Sequence, residues 1–346
     1  MASRILSQLL FRLNRVERYQ KKTGQNFNYD NLDFIHHPIP RMPQFEFFQE
    51  SNIAITKNNR FSYTPAHTHD FIEFNYMYSG SCIQYINDEP IKLRQHQLLV
   101  MDRDVVQRID YAGQKDIIIN ILLRDTDDFA ESAGYLKNSA DTVSQFLYNA
   151  AKRDSPHNNF IIFDLSKNEV ATKLLESLAI KGLEDTANRN ELLRLIFAAL
   201  MVELPGTIRR RSISYTNPAN DEFLPILRAI SAEYQTVSLS ELATRFGYNT
   251  NYLGDKIREM TGKSFKELID RRRLAAAQNL MIRTSCSAAE ICDIIGYKNN
   301  SSLFRLFKKY LDITPSAYKA KVSHQRLITQ PLLPEVRGHA SRTPQN

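Results

Sequence analysis

Cysteine and long apolar runs are both scarce in this sequence. Only three cysteines occur among 346 residues, and no two of them form a CxxC pair. This count excludes a framework of disulfide bonds and favours a reducing compartment. No apolar run approaches the roughly 20 residues that a membrane helix needs. The arginines within residues 1–22 indicate an amphipathic helix rather than a signal peptide. We therefore expect a cytoplasmic protein with no membrane partner.

The positive charge lies mainly towards the C-terminus. The formal net charge is +7, and residues 221–322 contain 16 Lys and Arg against 11 Asp and Glu. Such a balance permits a nucleic-acid partner without proving one. A nucleic-acid surface is therefore expected in the last third of the chain.

Apolar patterning divides the chain into different kinds of structure. Short runs rich in Ile, Val, Phe and Tyr, separated by turn signals, predict a small β-barrel or sandwich. Helical periodicity dominates after it. The predicted segments are an N-terminal helix and lead-in (1–50), a barrel (51–125), a helical connector (126–204), a linker (205–222), an all-α domain (223–322) and a flexible tail (323–346). The expected fold class is α+β.

Two of the predicted helices raise the question of a second subunit. Residues 1–22 carry one apolar stripe, as expected for a single helix that packs on its own domain or, alternatively, forms a contact between subunits. The connector has helical patterns at 126–151, 167–181 and 187–204. The last of these is apolar around much of its circumference, so it is either deeply packed or shared with a second subunit. We expect a homodimer formed through the connector.

The all-α domain contains an internal repeat. Residues 238–265 align with residues 287–315, and each copy opens with Ser-x-x-Glu, the signature of a helix N-terminus. In each copy the first helix ends at a glycine, and a second helix begins three or four residues later. This is the helix-turn-helix arrangement, whose second helix can enter the major groove of DNA. Because the motif occurs twice, the signal is strong.

The spacing of the two copies suits double-stranded DNA. The predicted helix 264–284 joins them and spans roughly 30 Å at 1.5 Å per residue. One turn of DNA is about 34 Å, so both second helices can reach successive major grooves. Leu253 and Ile257 are expected to face the core, as are Leu303 and Phe307 in the second copy.

The outward residues of these helices have distinct expected roles. Arg305 is suited to a bidentate contact with guanine, worth roughly 1–3 kcal/mol of discrimination. Arg258, Lys308 and Lys309 are suited to phosphates. The alternative for these basic residues is an ordinary solvated helix face.

The motifs SLSELATRFGYNTNYL, REMTGKSFKELIDRRRL, GYKNNSSLFRLFKKY and TPSAYK give residues 224–319 a specific resemblance. This segment resembles the DNA-binding domain of the AraC family of bacterial transcription regulators. The resemblance implies promoter DNA and RNA polymerase as partners. It also implies that the following residues approach the DNA: Thr250, Asn251, Gly254, Asp255, Asn300, Ser301, Ser302 and Arg305. Asp255 departs from the basic residue usual in the family, and an acid reads cytosine but is repelled by phosphate.

The segment HTHDFIEFNYMYSG raises the possibility of a metal site. On an extended strand His67, His69 and Glu73 share one face, which would form a plausible first shell for iron, manganese or zinc. The spacing resembles the first motif of the cupin barrels. Their last histidine comes from a later strand, where this chain has Gln107. Since a neutral glutamine is a poor ligand, we expect a polar effector pocket with no metal and no cofactor, or else structural histidines with satisfied hydrogen bonds.

The AraC resemblance supports the effector pocket, since many such regulators carry a cupin-like barrel that binds a small molecule, commonly a sugar. The sequence thus predicts a DNA-binding transcription regulator rather than an enzyme. Its barrel is expected to bind a small-molecule effector through His67, His69, Glu73 and Gln107. Two alternatives stay open: a metal-dependent cupin enzyme that carries a DNA-binding domain, and a regulator that needs no effector.

Overall fold

The computed structural model describes residues 2–26, 33–44, 47–48, 51–124, 146, 160–184, 188–204 and 224–322. The predicted linker and tail lie outside these residues, as does the predicted helix 126–151 except for Phe146. Within the described residues the fold is α+β, as expected. A barrel flanked by helices is followed by an all-α domain.

Ten strands form the barrel in the described part of the chain: β1 (Arg41–Met42), β2 (Ile53–Lys57), β3 (Ser62–His69), β4 (Phe71–Ser79), β5 (Ser81–Ile86), β6 (Glu89–Arg94), β7 (Gln97–Met101), β8 (Gln107–Ala112), β9 (Ile117–Arg124) and β10 (Phe160–Asp164). They make two five-stranded sheets, in the orders β1-β3-β8-β5-β6 and β10-β7-β4-β9-β2. The pairing is antiparallel except between β1 and β3. The chain crosses from one sheet to the other at Asp70, so the side chains that flank it meet inside the barrel.

Strand β10 lies within the segment 126–204 that was predicted as a helical connector, between its predicted helices 126–151 and 167–181. It pairs along its full length with β7, and Ile161 and Phe163 are buried. The run FIIFD is apolar and rich in β-formers but too short for a stable helix. Part of the predicted connector therefore belongs to the barrel.

The N-terminal segment forms two helices, α1 (Ala2–Phe11) and α2 (Arg15–Thr23), so the prediction of one helix was wrong. Asn14 explains the break. Its side chain accepts a hydrogen bond from the Glu17 backbone N–H, and the Glu17 carboxylate accepts one from the Asn14 N–H. This reciprocal cap starts a new helix within the apolar stripe.

A buried ion cluster attaches α2 to the barrel. Glu17 is fully buried, and its carboxylate lies 2.8 Å from both Arg60 Nε and Lys57 Nζ. Burial alone would raise the pKa of Glu17, but the hydrogen bonds from Arg60 and Lys57 outweigh it, and the net pKa is lowered. The carboxylate therefore stays ionised inside the protein.

Two helices, α3 (Glu169–Leu183) and α4 (Arg189–Glu203), pack against the outside of the barrel, close to their predicted positions. Gly182 permits the close approach, because a Cβ atom there would lie 2.1 Å from the Ile55 side chain. Phe197 contacts Phe74 edge to face, with ring centroids 5.5 Å apart. The barrel core therefore extends into these helices.

The all-α domain comprises seven helices among the described residues: α5 (Leu224–Ala232), α6 (Leu239–Arg245), α7 (Thr250–Thr261), α8 (Phe265–Arg283), α9 (Ala288–Ile294), α10 (Asn300–Leu311) and α11 (Pro315–Val322). The pairs α6–α7 and α9–α10 are the two predicted helix-turn-helix units, joined by α8. The residues predicted to face the core are buried, namely Leu253, Ile257, Leu303 and Phe307. The duplicated motif is therefore confirmed.

Glycine shapes both turns. Gly247 and Gly296 have φ angles of 72° and 81°, in the left-handed region that favours glycine. At Gly296 a Cβ atom would also lie 2.0 Å from the backbone oxygen of Gln235, so a larger residue cannot fit. Both Ser-x-x-Glu motifs begin a helix as predicted, with Ser238 and Ser287 accepting from the N–H of the glutamate. Of these two motifs, the one at Ser287 and Glu290 also has the reciprocal bond from the serine N–H to the glutamate side chain.

Candidate functional site

The interior of the barrel contains a group of buried polar side chains. Each is at most 5% exposed, and they come from both sheets: His67, His69, Glu73, Asn75, Gln84 and Gln107. Strands β3 and β8 place His67 opposite Gln107. The turn at Asp70 brings His69 across to Glu73 on β4. All four predicted effector-binding residues therefore lie in one region.

The two histidines and the glutamate are in close contact. One nitrogen of each ring and one carboxylate oxygen lie within 4.8 Å of one another. His69 Nε2 is 3.0 Å from Glu73 Oε2, and the two imidazole rings meet edge to face with centroids 4.6 Å apart. His67 Nδ1 lies 2.6 Å from the Pro65 carbonyl oxygen, so this nitrogen carries the ring proton.

The charges of this cluster follow from burial. Burial lowers the pKa of His67 to about 4, with the neighbouring His69 acting in the same direction. Burial would raise the pKa of Glu73, but the charge of the neighbouring His69 acts against burial, and the net pKa is lowered. At neutral pH the cluster thus holds a neutral His67 beside an ionised Glu73.

A chain of amides fixes Gln107. Its Nε2 donates to Asn75 Oδ1 at 2.5 Å and to Gln84 Oε1 at 2.9 Å. Asn75 Nδ2 donates in turn to Asn120 Oδ1 at 3.0 Å. Because both amide hydrogens of Gln107 are used, its carbonyl oxygen is left to accept a hydrogen bond from a ligand.

His67, His69, Glu73 and Gln107 line a cavity of about 280 Å³. Phe71 and Tyr63 add aromatic surface to its wall. Arg283 also lines it, although this residue belongs to the all-α domain, at the end of α8. Its guanidinium lies over the Phe34 and Tyr63 rings, with the carbon 5.0 and 5.9 Å from their centroids. Sequence reasoning missed Arg283, since no local pattern shows which barrel strand a distant helix contacts.

Helix α8 is hydrogen-bonded to the barrel beside this cavity. Asn279 is buried, and its side-chain oxygen accepts from the Ala66 N–H at 3.2 Å. Its Nδ2 donates to the carbonyl oxygens of Ala66 and Pro38, both at 2.8 Å. Ala66 directly precedes His67. One side chain of the all-α domain therefore pairs with the strand that carries the polar cluster.

A second candidate site is the exposed face of α7 and α10. The predicted DNA-contacting residues lie at the start of these helices or along their outer sides. Most are exposed, with two half-buried at the helix starts, Thr250 and Ser302; the exposed ones are Asn251, Asp255, Arg258, Asn300, Ser301, Arg305, Lys308 and Lys309. The structure therefore presents all ten at the surface.

The basic residues of this surface differ in how tightly they are held. Among the described residues, Arg305 donates to the neighbouring Ser302 hydroxyl at 3.3 Å. Lys308 donates to the carbonyl of Asp312 at the end of its helix and lies 3.7 Å from the Asp312 carboxylate. Lys309 instead pairs with the mostly buried Asp270 of α8 at 3.1 Å. This contact favours a role for Lys309 in fixing α10 on α8, so the phosphate role predicted for it is less well supported.

The first recognition helix has a special geometry. A Cβ atom at Gly254 would lie 3.3 Å from the Leu239 side chain, so the small residue lets α7 approach α6. Asp255 beside it is exposed, and no described lysine or arginine forms an ion pair with it. Two exposed aromatic residues also stand on the recognition helices: Tyr252 is 53% exposed and Phe304 is 46% exposed.

Among the described residues, no helix is long and apolar enough to cross a membrane. Two family models match the chain. One, described as an AraC-like ligand binding domain, matches residues 53–137, and the other, described as a helix-turn-helix domain, matches residues 242–321. The first covers most of the barrel and the second covers both helix-turn-helix units.

Several known proteins are similar to this chain. The HTH-type transcriptional activator RhaR of Enterobacter sp. (strain 638) is 21% identical over 283 residues, covering 79% of this chain and 94% of RhaR. The activator RhaS of Escherichia fergusonii is 23% identical over 286 residues, covering 80% and 96%. The HTH-type transcriptional regulator YtdP of Bacillus subtilis is 29% identical over 161 residues, which are 46% of this chain but only 19% of YtdP.

Among solved structures, ToxT from Vibrio cholerae with a bound unsaturated fatty acid has a TM-score of 0.40 and 14% identity, covering 79% of this chain and 97% of ToxT. The two family matches occur in the order of the two domains seen here, and RhaR and RhaS align along nearly their whole length. The chain therefore has an AraC-like ligand binding domain followed by an AraC-type helix-turn-helix domain, and its relatives RhaR and RhaS are AraC-family DNA-binding transcription regulators.

Proposed function

We propose that this regulator binds a small polar effector inside the barrel and promoter DNA through α7 and α10. One observation carries the link between the two sites. Arg283 lines the barrel cavity, and it stands on α8, the helix that joins the two helix-turn-helix units. A ligand in the cavity therefore contacts the DNA-binding domain directly.

The polar cluster defines the kind of effector. Glu73 and the Gln107 carbonyl accept hydrogen bonds, the histidines exchange them, and Phe71 offers a ring for stacking. A molecule with several hydroxyl groups, such as a sugar, matches these features. The cavity volume of about 280 Å³ suits a compound of that size.

The regulatory mechanism is a shift between two arrangements of the domains. Asn279 and Arg283 hold α8 against β3 beside the cavity. An effector that favours one arrangement of this contact changes how α7 and α10 are presented to DNA. The effector can change the equilibrium between the two arrangements only by as much as its affinities for them differ.

Further partners follow from the exposed surfaces and from the relatives. Helix α4 presents an exposed apolar stripe at helical spacing, Leu195, Ala198, Ala199 and Val202, with Val202 73% exposed. This stripe supports a homodimer formed through α4. RhaR and RhaS are transcriptional activators, so we infer that this protein also activates transcription, through contact with RNA polymerase. The same similarity supports a place in the cytoplasm and a role other than catalysis.

The test is selection of DNA from a random pool of duplexes by the full-length chain. We expect enrichment of a bipartite site with half-sites about one turn apart, since the 19 residues of α8 that join the two units span roughly 28 Å, close to the length of one DNA turn. Affinity for this site is then measured against salt. Arg94→Ala, which removes an exposed charge from the barrel, is the control and should select the same site. Binding that shows no sequence preference and disappears as salt rises would contradict the proposal.

A further inference from the structure

His67, His69 and Glu73 are arranged as ligands of a metal ion. They form the one group of three or more His, Cys, Asp or Glu side chains found close enough for this among the described residues. All three are at most 5% exposed. Exposed acidic clusters are common without an ion, but a buried group of two imidazoles and a carboxylate is costly unless its charge is compensated.

The distances within the group suit coordination. Two ligand atoms that bind one ion at about 2.1 Å, with an angle near 90–110°, lie about 3.0–3.4 Å apart. His69 Nε2 and Glu73 Oε2 are 3.0 Å apart, which already matches this separation. The third ligand atom lies within 4.8 Å, so a small side-chain rotation brings it into the same shell.

The proton of His67 is on the correct nitrogen for coordination. Its Nδ1 lies 2.6 Å from the Pro65 carbonyl oxygen, which leaves the lone pair on Nε2. Histidine ligands of metals usually donate their other ring N–H to a carbonyl or carboxylate in this way, which fixes the tautomer and the ring orientation. His67 is therefore preorganised as a ligand.

Two atoms of the group lack hydrogen-bond partners. Glu73 Oε2 is close to His69 but not aligned with a donor, and neither it nor His69 Nδ1 has a hydrogen bond to any described residue. Unsatisfied buried polar atoms are rare and call for an explanation, such as a bound ion. A cation bound to Glu73 would satisfy its carboxylate directly.

The glutamine at position 107 does not exclude such an ion. Compared with a cupin metal site, the set is incomplete because Gln107 replaces a fourth ligand. Transition metals are, however, commonly held by two histidines and one carboxylate with the remaining positions open. The Gln107 carbonyl oxygen lines the same cavity and can accept a hydrogen bond from a molecule bound at an open position.

We propose that the barrel binds one divalent first-row transition metal ion, of the class of Zn²⁺, Fe²⁺ or Mn²⁺, through His67 Nε2, a ring nitrogen of His69 and the Glu73 carboxylate. Its open positions face the cavity of about 280 Å³, where an oxygen atom of the effector completes the shell. This inference rests on the proposed function in one respect, that the cavity is a ligand site. It makes the ion part of the effector site.

The test is metal binding by the full-length chain after removal of bound metal with a chelator. Zn²⁺, Mn²⁺ and Co²⁺ are added separately, bound metal is measured by elemental analysis, and the Co²⁺ form is followed by visible absorption. We expect about one ion per chain in the wild type. In Glu73→Gln and His69→Gln, the affinity for the metal should be lower by about tenfold to a hundredfold. The control is His36→Gln, which alters an exposed histidine close to Asp33.

A fourth variant separates loss of the site from loss of the fold. Gln107→His adds an imidazole at the position opposite His67 and should tighten metal binding, a gain that a misfolded barrel cannot give. If the wild type binds no more metal than Glu73→Gln, or if Gln107→His does not tighten binding, the metal site is wrong. If the same preparations still select a specific DNA site, only the metal site is contradicted and the proposed regulator function stands. If they bind metal but select no specific DNA site, the proposed regulator function is contradicted instead.

Discussion

The barrel and the all-α domain place their polar groups in opposite ways. In the barrel, His67, Glu73 and Gln107 are buried at the centre of the domain. In the all-α domain the centre is apolar, and Asn251 and Arg305 stand on the surface of the recognition helices. A small ligand can be enclosed, and enclosure strengthens each polar contact, whereas DNA can be reached only from an exposed surface. The buried polar groups of the barrel therefore indicate a small ligand, and the exposed polar groups of the recognition helices indicate a large one such as DNA.

The largest expected effect is on stability, and it tests whether the folded barrel needs the buried charge of Glu17. Glu17→Gln leaves the buried Arg60 without its carboxylate, so we expect the free energy of unfolding to fall by about 3–5 kcal/mol. Urea denaturation followed by circular dichroism measures the change. Glu169→Gln removes an exposed carboxylate that pairs with Lys173, and this control should change little. If the two substitutions lower the free energy of unfolding equally, the buried ion pair of Glu17 is no more important for stability than the exposed pair of Glu169.

The same carboxylate gives the barrel a dependence on pH. The pKa of Glu17 is lowered in the folded protein, so its stabilising contribution is present above its ordinary pKa of about 4.5. That contribution is lost as the pH falls through the folded pKa. We expect the difference in stability between wild type and Glu17→Gln to shrink below about pH 4.5. A difference that stays constant from pH 7 to pH 3 would show that Glu17 is not ionised in the folded chain.

On the DNA surface, Arg305→Ala should produce the next largest effect. The expected loss is about 1–3 kcal/mol of affinity for the selected site, with relaxed specificity at one base pair, because arginine is the usual reader of guanine. Competition between site variants measures both quantities. Barrel stability should be unchanged, because Arg305 is exposed and, among the described residues, its guanidinium donates a hydrogen bond to Ser302 of its own helix. Unchanged base preference would place Arg305 outside the groove.

The smallest expected effect concerns a phosphate contact. Lys308→Ala should weaken binding of all duplexes alike and reduce the slope of log affinity against log salt by about 0.9. Lys309→Ala is the matched comparison, since Lys309 pairs with Asp270 and is expected to act on the packing of α10. If Lys308→Ala changes the preferred sequence, the residue reads bases and not the backbone.

The sequence predicted the all-α domain more completely than the barrel. The turns at Gly247 and Gly296 and the buried Leu303 follow from local spacing, which survives in a single sequence. The position of His67 opposite Gln107 depends on strand register, and β10 joins the barrel from a distant segment. Local periodicity does not encode such pairings, although the four polar residues named for the pocket do line one cavity.

Contacts between the domains were beyond prediction for the same reason. Asn279 reads as an ordinary polar residue in a long helix, and only the structure shows that it pairs with Ala66. In the sequence alone, the run Arg271, Arg272 and Arg273 is typical of a solvated or phosphate-binding surface. They instead donate to Asp88, Ser231 and Tyr234 within the protein.

The most direct test of the link between the two sites is amide hydrogen exchange of the full-length chain with and without its selected DNA duplex. Coupling between two binding sites is reciprocal, so DNA bound to α7 and α10 must alter the barrel strand that α8 contacts. We predict a change in exchange in β3, including the Ala66 amide that donates to Asn279, and loss of that change in Asn279→Ala. Protection confined to α7 and α10, with β3 exchanging at the same rate in both states, would contradict the account.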